Sequence, residues 1–205
     1  STSEITGVTK FVPNYSAMGN EKYIANGSKW DFASSDNQVI TWAIADNGSF
    51  KWPDKNEYAS KFSKALEAFE KTTNIKPQYH GAYTSMELAD ASGADFIISV
   101  KDYPAPAGAF FPDDTDGGLN DGRIIWWDQA AITGYENGDV NAAETWFNQT
   151  ILHELGHAVG LKHPHDGGTG INTEWITGEA DNGYQSFTSA LDTLMSYYNP
   201  TGPNG

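Results

Sequence analysis

Four of the five histidines of this chain lie between positions 153 and 165, and three of them belong to one ordered pattern. The segment reads His153-Glu154-Leu-Gly-His157-Ala-Val-Gly160-Leu-Lys-His163. At the composition of this chain, these five fixed residues recur by chance on the order of 10⁻⁵ times per sequence, so the pattern is specific. Imidazoles and a carboxylate in such a pattern indicate metal chemistry.

The spacing of His153 and His157 favours a shared metal ion. Residues four apart on a helix project from one face, about one turn apart. Gly160 can adopt a positive φ without steric cost, so it can end the helix and turn the chain back, which would let His163 reach the same ion. Three neutral imidazoles with one open position are typical of catalytic zinc, whereas structural zinc sites are closed by four protein ligands.

Glu154 is predicted to be the general base. It is rotated by about 100° from His153 on the helix, which places its carboxylate beside the metal rather than on it. Zinc lowers the pKa of a coordinated water to about 7 and polarises a carbonyl group. Glu154 would accept the proton of the water and later transfer it to the leaving amine, so the predicted reaction is hydrolysis of a peptide bond.

Hydrophobic periodicity predicts the elements that position these residues. We predict one helix over residues 54–74, capped by Asp54, and a second over residues 141–160, which carries two of the three histidines. Residues 1–30 show little periodicity and are predicted to be irregular or weakly stranded. The predicted strands are 38–44, 94–100, 107–111 and 123–127, of which the third is placed at a sheet edge because prolines flank it.

Helices and strands at these spacings predict an α+β domain in which helices back a sheet. The 205 residues favour one domain, and 39% hydrophobic residues suffice for a sizeable core. The formal charge of −15 repels phosphate backbones and anionic lipids, so neither a nucleic acid nor a membrane is expected as a partner. The absence of cysteine excludes disulfides and thiolate ligands.

The pattern extended to His163 resembles the metzincin clan of zinc endopeptidases, whose members share a Met-containing turn beneath the metal. Met195 would supply that turn. Pro164, together with Met195-Ser-Tyr197, is similar to the serralysin family of secreted bacterial proteases. The resemblance implies that Tyr197 is an additional zinc ligand that swings away and stabilises the transition state. The alternative is that Tyr197 only packs, since the adjacent Tyr198 could shift the register.

The resemblance also implies a fold. A metzincin-like sheet is twisted and mostly parallel, carries an antiparallel edge strand and is backed by two long helices. It implies a single catalytic domain over residues 1–205, in which a cleft separates an upper lobe (about 1–160) from a small, loop-rich lower lobe (about 161–205). An edge strand lining the cleft could bind an extended peptide by strand addition. The predicted substrate-binding residues are Ala107, Gly108, Ala109 and Phe110.

An acidic, glycine-rich loop follows the predicted edge strand. Related matrix metalloproteases bind calcium and a second zinc hereabouts, but this loop contains no histidine, so a second zinc is not expected. Oxygen ligands suit calcium, although the spacing is not that of an EF-hand and a solvated loop is the alternative. The candidate calcium ligands are Asp113, Asp114, Asp116 and Asp121.

The sequence therefore predicts a secreted, extracellular zinc endopeptidase that cleaves extended polypeptides and binds one catalytic zinc. We expect a monomer, with polypeptide substrates and a proteinaceous inhibitor as partners. The Gly-Asp repeats that follow the serralysin catalytic domain are missing, so the chain is either an excised catalytic domain or a short member. The alternative is a catalytically inactive metzincin-like module that binds a peptide or an inhibitor, and an intact Glu154 argues against it. A hydrolase of another amide is a third, weaker hypothesis.

Overall fold

The fold is given by a computed structural model, which describes residues 5–10, 27–33, 38–114, 121–138 and 140–163. In this part of the chain the strands are β1 (Ile5–Lys10), β2 (Ser28–Phe32), β3 (Gln38–Ala45), β4 (Ile75–Tyr83), β5 (Phe96–Lys101), β6 (Ala107–Ala109) and β7 (Ile124–Asp128). The helices are α1 (Lys55–Thr72), α2 (Met86–Ala91), α3 (Gln129–Glu136) and α4 (Val140–Ala158). None of these helices is long and apolar enough to cross a membrane.

The central sheet is mostly parallel. Among the described strands its order is β4-β3-β5-β7-β6. β3 pairs in parallel with β4 and β5, and β5 pairs in parallel with β7, whereas β6 lies antiparallel to β7 at the edge. The predicted fold class, a mostly parallel sheet with an antiparallel edge strand, is thereby confirmed. β1 and β2 form a separate antiparallel pair.

The sheet is buried on both faces, as expected where helices cover parallel strands. On one face, Ile40, Trp42 and Ile44 of β3 pack with apolar residues of α1 and α4. On the other face, Ala43 and Ala45 pack with residues of α2. The prediction of two long helices behind the sheet is thus confirmed, while residues 164–205 of the predicted loop-rich lobe lie outside the described residues.

Sequence periodicity missed β4 and shortened the predicted sheet by one strand. Pro77 lies within β4, where it pairs with Ile40. A proline is tolerated there because β4 is an edge strand and does not need every backbone donor. The helices α2 and α3 also escaped prediction, since they have only 6 and 8 residues.

The edge strand β6 is shorter than the predicted strand over residues 107–111. It ends at Ala109. The backbone N–H of Phe111 donates to the Asp114 carboxylate (3.0 Å), and the Asp114 N–H donates to the Phe111 carbonyl (3.0 Å). These bonds close a turn, so residues 110 and 111 leave the sheet.

The pair of β1 and β2 stands largely within residues 1–30, which were predicted to be irregular or weakly stranded. Val8 lies opposite Trp30, and the Thr9 hydroxyl donates to the Asp31 carboxylate at 2.7 and 2.9 Å from its two oxygens. Trp30 and Phe32 are partly buried against the main core. The apolar content of β1 is too low for a strand signal, and the pairing depends on partners 18 to 27 residues away.

Candidate metal centre

Helix α4 presents two imidazoles because its opposite side is fixed in the core. Phe147, Ile151 and Leu155 pack beneath the sheet, which sets the rotation of the helix. His153 and His157 form an i, i+4 pair beside this stripe, and each is 6% exposed. The periodicity that builds the core therefore also sets the direction of both rings.

The turn after α4 brings in the third imidazole. Gly160 has a φ of 103°, its N–H donates to the His157 carbonyl (2.9 Å), and the Leu161 N–H donates to the Gly156 carbonyl (2.8 Å). This pair of bonds is a Schellman motif, in which the residue of positive φ is usually glycine. The chain reverses there, and His163 returns to the histidine face of the helix.

The three Nε2 atoms form a small triangle. Those of His153 and His163 are 3.0 Å apart, those of His157 and His163 are 3.0 Å apart, and those of His157 and His153 are 3.2 Å apart. With Zn–N bonds of about 2.0–2.1 Å, the nitrogens of a tetrahedral zinc site are separated by roughly 3.3 Å. A proton shared between two Nε2 atoms can stabilise only one of these three contacts. A cation at the centre of the triangle attracts the lone pairs of all three nitrogens. The donor set therefore fits a divalent ion such as zinc.

Two contacts orient the His157 ring, and the sequence pattern signalled neither of them. Its Nδ1 lies 2.8 Å from the Leu161 carbonyl oxygen. A carbonyl can only accept, so Nδ1 carries the proton and Nε2 is left as a metal-binding lone pair. Phe111 packs against the same ring at 5.6 Å between centroids, in an edge-to-face arrangement. Phe111 could be found only as part of a predicted strand, and a backbone carbonyl leaves no trace in sequence.

Glu154 follows His153 on α4 and lies in an almost closed environment. It is 4% exposed. Burial raises the pKa of its carboxyl to about 8, although the backbone N–H of Ala109 donates a hydrogen bond that opposes this shift. A divalent cation beside such a carboxyl favours the ionised form. The carboxyl group is thus buried and hydrogen-bonded to the edge strand, on the residue that follows His153.

Alternate residues of β6 direct their backbone groups toward β7 and toward α4. The Pro106 carbonyl accepts from the Asp128 N–H of β7 (3.0 Å), whereas the Ala109 N–H is turned to Glu154. In an antiparallel pair the hydrogen-bonded positions alternate, so the backbone groups of Ala107 and Ala109 point away from β7. Of the predicted substrate-binding residues, Phe110 lies beyond the strand and is partly buried against the opposite face of the sheet.

Tyr103 is a neighbour of this edge that the sequence pattern did not indicate. A Cβ atom on Gly108 would overlap its ring, so the ring lies directly over the strand. Burial and the charge of Glu154 both raise the pKa of the Tyr103 hydroxyl. The Lys101 ammonium lies 5.0 Å from the Tyr103 ring and 4.1 Å from the Trp126 ring. A cation and two aromatic rings therefore border the edge strand.

The acidic loop is described only in part. Lys10 forms an ion pair with Asp113 (3.0 Å). Although burial acts in the opposite direction, hydrogen bonds from Ser28 and Lys10 lower the pKa of Asp113. Asp114 accepts from the Phe111 N–H, as described above. The side chains of Asp116 and Asp121 are outside the description, and calcium binding stays a prediction.

Other residues of the predicted site also lie outside the described residues. They are Pro164, Met195 and Tyr197. The turn beneath the metal and the additional zinc ligand therefore stay predictions. The same holds for the serralysin assignment, which depends on these three residues.

No family model matches the sequence. Among solved structures, the chain is similar to archaemetzincin from Methanopyrus kandleri, known from a crystal structure. The two share 13% sequence identity, and the match covers 61% of this chain and 76% of that chain with a TM-score of 0.39. A likeness at this level carries no inference about function, which has to follow from the chemistry of the site.

We expect the protein to bind one zinc ion per chain and His157→Asn to weaken that binding. Loss of a ligand should cost more than the 10- to 100-fold typical of outer contacts, so a drop of at least about 100-fold is expected. Isothermal titration with a competing chelator measures the affinity. His80→Asn is the matched control. His80 lies in β4, away from the site, where its ring contacts the carbonyl oxygen of Ser92 (2.9 Å). Equal affinities in the two variants would contradict the assignment.

We expect Gly160→Ala to weaken zinc binding and lower stability. A left-handed conformation costs a residue with a Cβ about 1–2 kcal/mol, and here the Cβ would also overlap the Ser28 carbonyl oxygen. Chemical denaturation and zinc titration measure the two effects. Gly134→Ala in α3 is the control, since the space around its Cβ is empty. A fully stable Gly160→Ala protein with parental affinity would show that the turn does not set the position of His163.

Proposed function

We propose that this protein is a zinc-dependent endopeptidase that hydrolyses peptide bonds of extended polypeptides. The observation that carries the proposal is the triangle of Nε2 atoms from His153, His157 and His163, 3.0–3.2 Å apart, with the buried Glu154 carboxyl beside it. Structural zinc sites use four protein ligands, whereas hydrolytic sites use three and leave one position for water or substrate.

The three histidines would hold the ion through Nε2. Bound zinc would supply Lewis acidity, which lowers the pKa of a coordinated water to about 7 and polarises the substrate carbonyl. Glu154 accepts a proton from the attacking water. It then passes this proton to the amine nitrogen as the C–N bond breaks, so the products are a free amine and a carboxylic acid, which ionises to a carboxylate at neutral pH. The hydrogen bond from the Ala109 N–H would hold the Glu154 carboxyl group in place for both transfers.

The edge strand β6 supports a polypeptide as the substrate. The backbone groups of Ala107 and Ala109 point away from β7, toward the side on which Glu154 lies. An extended peptide could pair with these groups as an additional strand, since edge strands recognise peptides through backbone hydrogen bonds. Side chains of such a peptide would alternate between the metal side and the side of Tyr103 and Phe110.

The finer parts of the proposal come from the resemblance to serralysins. Tyr197 would be an additional zinc ligand and transition-state donor, and Met195 would form the turn beneath the metal. We propose secretion, a monomeric state and control by a proteinaceous inhibitor on the same basis.

We expect Glu154→Gln to abolish peptide cleavage while zinc remains bound. The amide has the shape of the carboxyl but cannot accept the proton, and general base catalysis contributes about 10²–10⁴-fold to the rate. Mass spectrometry of a mixed peptide pool, with and without a chelator, measures cleavage. Glu67→Gln on the exposed side of α1 is the control.

Three results would redirect the proposal. Parental turnover in Glu154→Gln would remove Glu154 from the mechanism. A parent protein that binds zinc but cleaves no peptide would favour the alternative of a module that only binds. Cleavage of other amides, but not of peptides, would favour the third hypothesis.

We expect Tyr197→Phe to lower turnover far more than zinc affinity. Removing one hydrogen-bond donor from a transition state costs about 10²–10³ in kcat, whereas the three histidines would retain the ion. Steady-state kinetics and zinc titration measure the two quantities. Tyr198→Phe is the matched control. If Tyr198→Phe were the impaired variant, the register would be shifted by one residue, and if neither were impaired, Tyr197 would only pack.

A further inference from the structure

The β1–β2 pair contacts the end of the metal-binding helix. Trp30 Nε1 donates a hydrogen bond of 2.7 Å to the carbonyl of Ala158, the last residue of α4. The last carbonyls of a helix have no partner within it, so this bond satisfies one of them. The Trp30 ring also packs edge-to-face on Phe96 of β5 at 5.7 Å, which anchors the donor in the core.

The same strand also lies directly against the turn that follows. A Cβ atom on Gly160 would overlap the carbonyl oxygen of Ser28. Ser28 is 2% exposed, so its backbone is held in place by surrounding atoms. The turn at Gly160 is therefore in close backbone contact with β2, and it cannot move in that direction without displacing the strand.

A second tether joins the pair to the other segment that touches a predicted ligand. Lys10 of β1 and Ser28 of β2 both donate to the Asp113 carboxylate. Asp113 lies in the turn after β6, whose Phe111 packs on the His157 ring. The pair thus contacts both segments that border the histidine triangle.

We propose that the β1–β2 pair is a positioning element of the metal centre, which acts through the turn at Gly160 on His163. His153 and His157 are fixed by the geometry of α4, but His163 lies beyond the end of the helix, so its position depends on the turn. The role of Trp30 is to hold the carbonyl end of α4 and thereby that turn. The importance of this role for zinc rests on the proposed function, whereas the effect on the turn does not.

The decisive variant is Trp30→Phe, which keeps an aromatic ring on Phe96 and removes the N–H donor. In the metal-free protein, we expect hydrogen exchange of the Gly160 and Leu161 amides to become at least about tenfold faster, while that of Ile98 in β5 changes much less. In the zinc-loaded protein, we expect a 10- to 100-fold loss of affinity, as for other outer contacts of a metal site. With cobalt in place of zinc, the visible spectrum should shift.

A control variant separates positioning from general destabilisation. Arg123→Lys removes the guanidinium fork that holds the Asp95 carbonyl and the Asp90 carboxylate, at a site on the other face of the sheet. It should lower stability but leave the cobalt spectrum, the zinc affinity and the contrast between Gly160 and Ile98 exchange as in the parent. If Trp30→Phe behaves in the same way as Arg123→Lys, the pair has only a structural role and the inference is wrong.

Two further outcomes are decided by the same experiments. If Trp30→Phe does not fold, Lys10→Gln replaces it, because Lys10 is an exposed side chain that tethers the pair to Asp113. Lys10→Gln should also make hydrogen exchange of the Gly160 amide faster, and an unchanged exchange rate would overturn the inference. If the parent binds no zinc, the proposed function fails, while exchange in the metal-free variants still decides whether the pair holds the turn.

Discussion

Three nitrogen lone pairs held 3.0–3.2 Å apart repel one another unless a positive charge lies between them. This constraint organises the site. The cost of bringing His153, His157 and His163 together is met by the folding of α4 and its terminal turn. A divalent cation would offset the repulsion and so would stabilise the folded state, as metals do when their ligands converge only after folding.

The position of the triangle follows from the core. The apolar stripe of α4 is clamped between the sheet and α1, where Phe147 stacks on Trp127 at 4.6 Å and on Phe62 at 5.1 Å. Because these rings fix the rotation of the helix, the histidine side is fixed as well. Glu154 then reaches the N–H of Ala109, so that helix α4, with its two histidines and Glu154, is joined to the edge strand.

Contacts between segments far apart in sequence complete this arrangement. Trp30 reaches Ala158 across 128 positions, and Asp113 receives hydrogen bonds from both strands of the β1–β2 pair. These contacts meet at the end of α4, where the helix can no longer fix the backbone through its own hydrogen bonds. They therefore supply contacts at the point where helical hydrogen bonds end.

The sequence by itself determined the three histidines that converge, the glutamate next to them in the chain and the outline of the sheet. On a helix, the spacing of His153 and His157 places both imidazoles on one face, with Glu154 next to them in the chain. Gly160, with its positive φ, reverses the chain after the helix. Runs such as 38–44 and 94–100 are mostly apolar, so strands buried within a sheet followed from them. Local rules of periodicity and backbone conformation were sufficient for these features.

Only the tertiary structure decided how the site is supported. The Leu161 carbonyl and the Ala109 N–H are backbone groups, which every residue has and no sequence pattern marks. Trp30 contacts Ala158, which is distant in sequence. The ring of Tyr103 lies over Gly108, where a residue with a Cβ atom would overlap it. Contacts of this kind arise when the chain has closed around its core, because the path of the backbone, rather than the identity of one residue, brings the partners together.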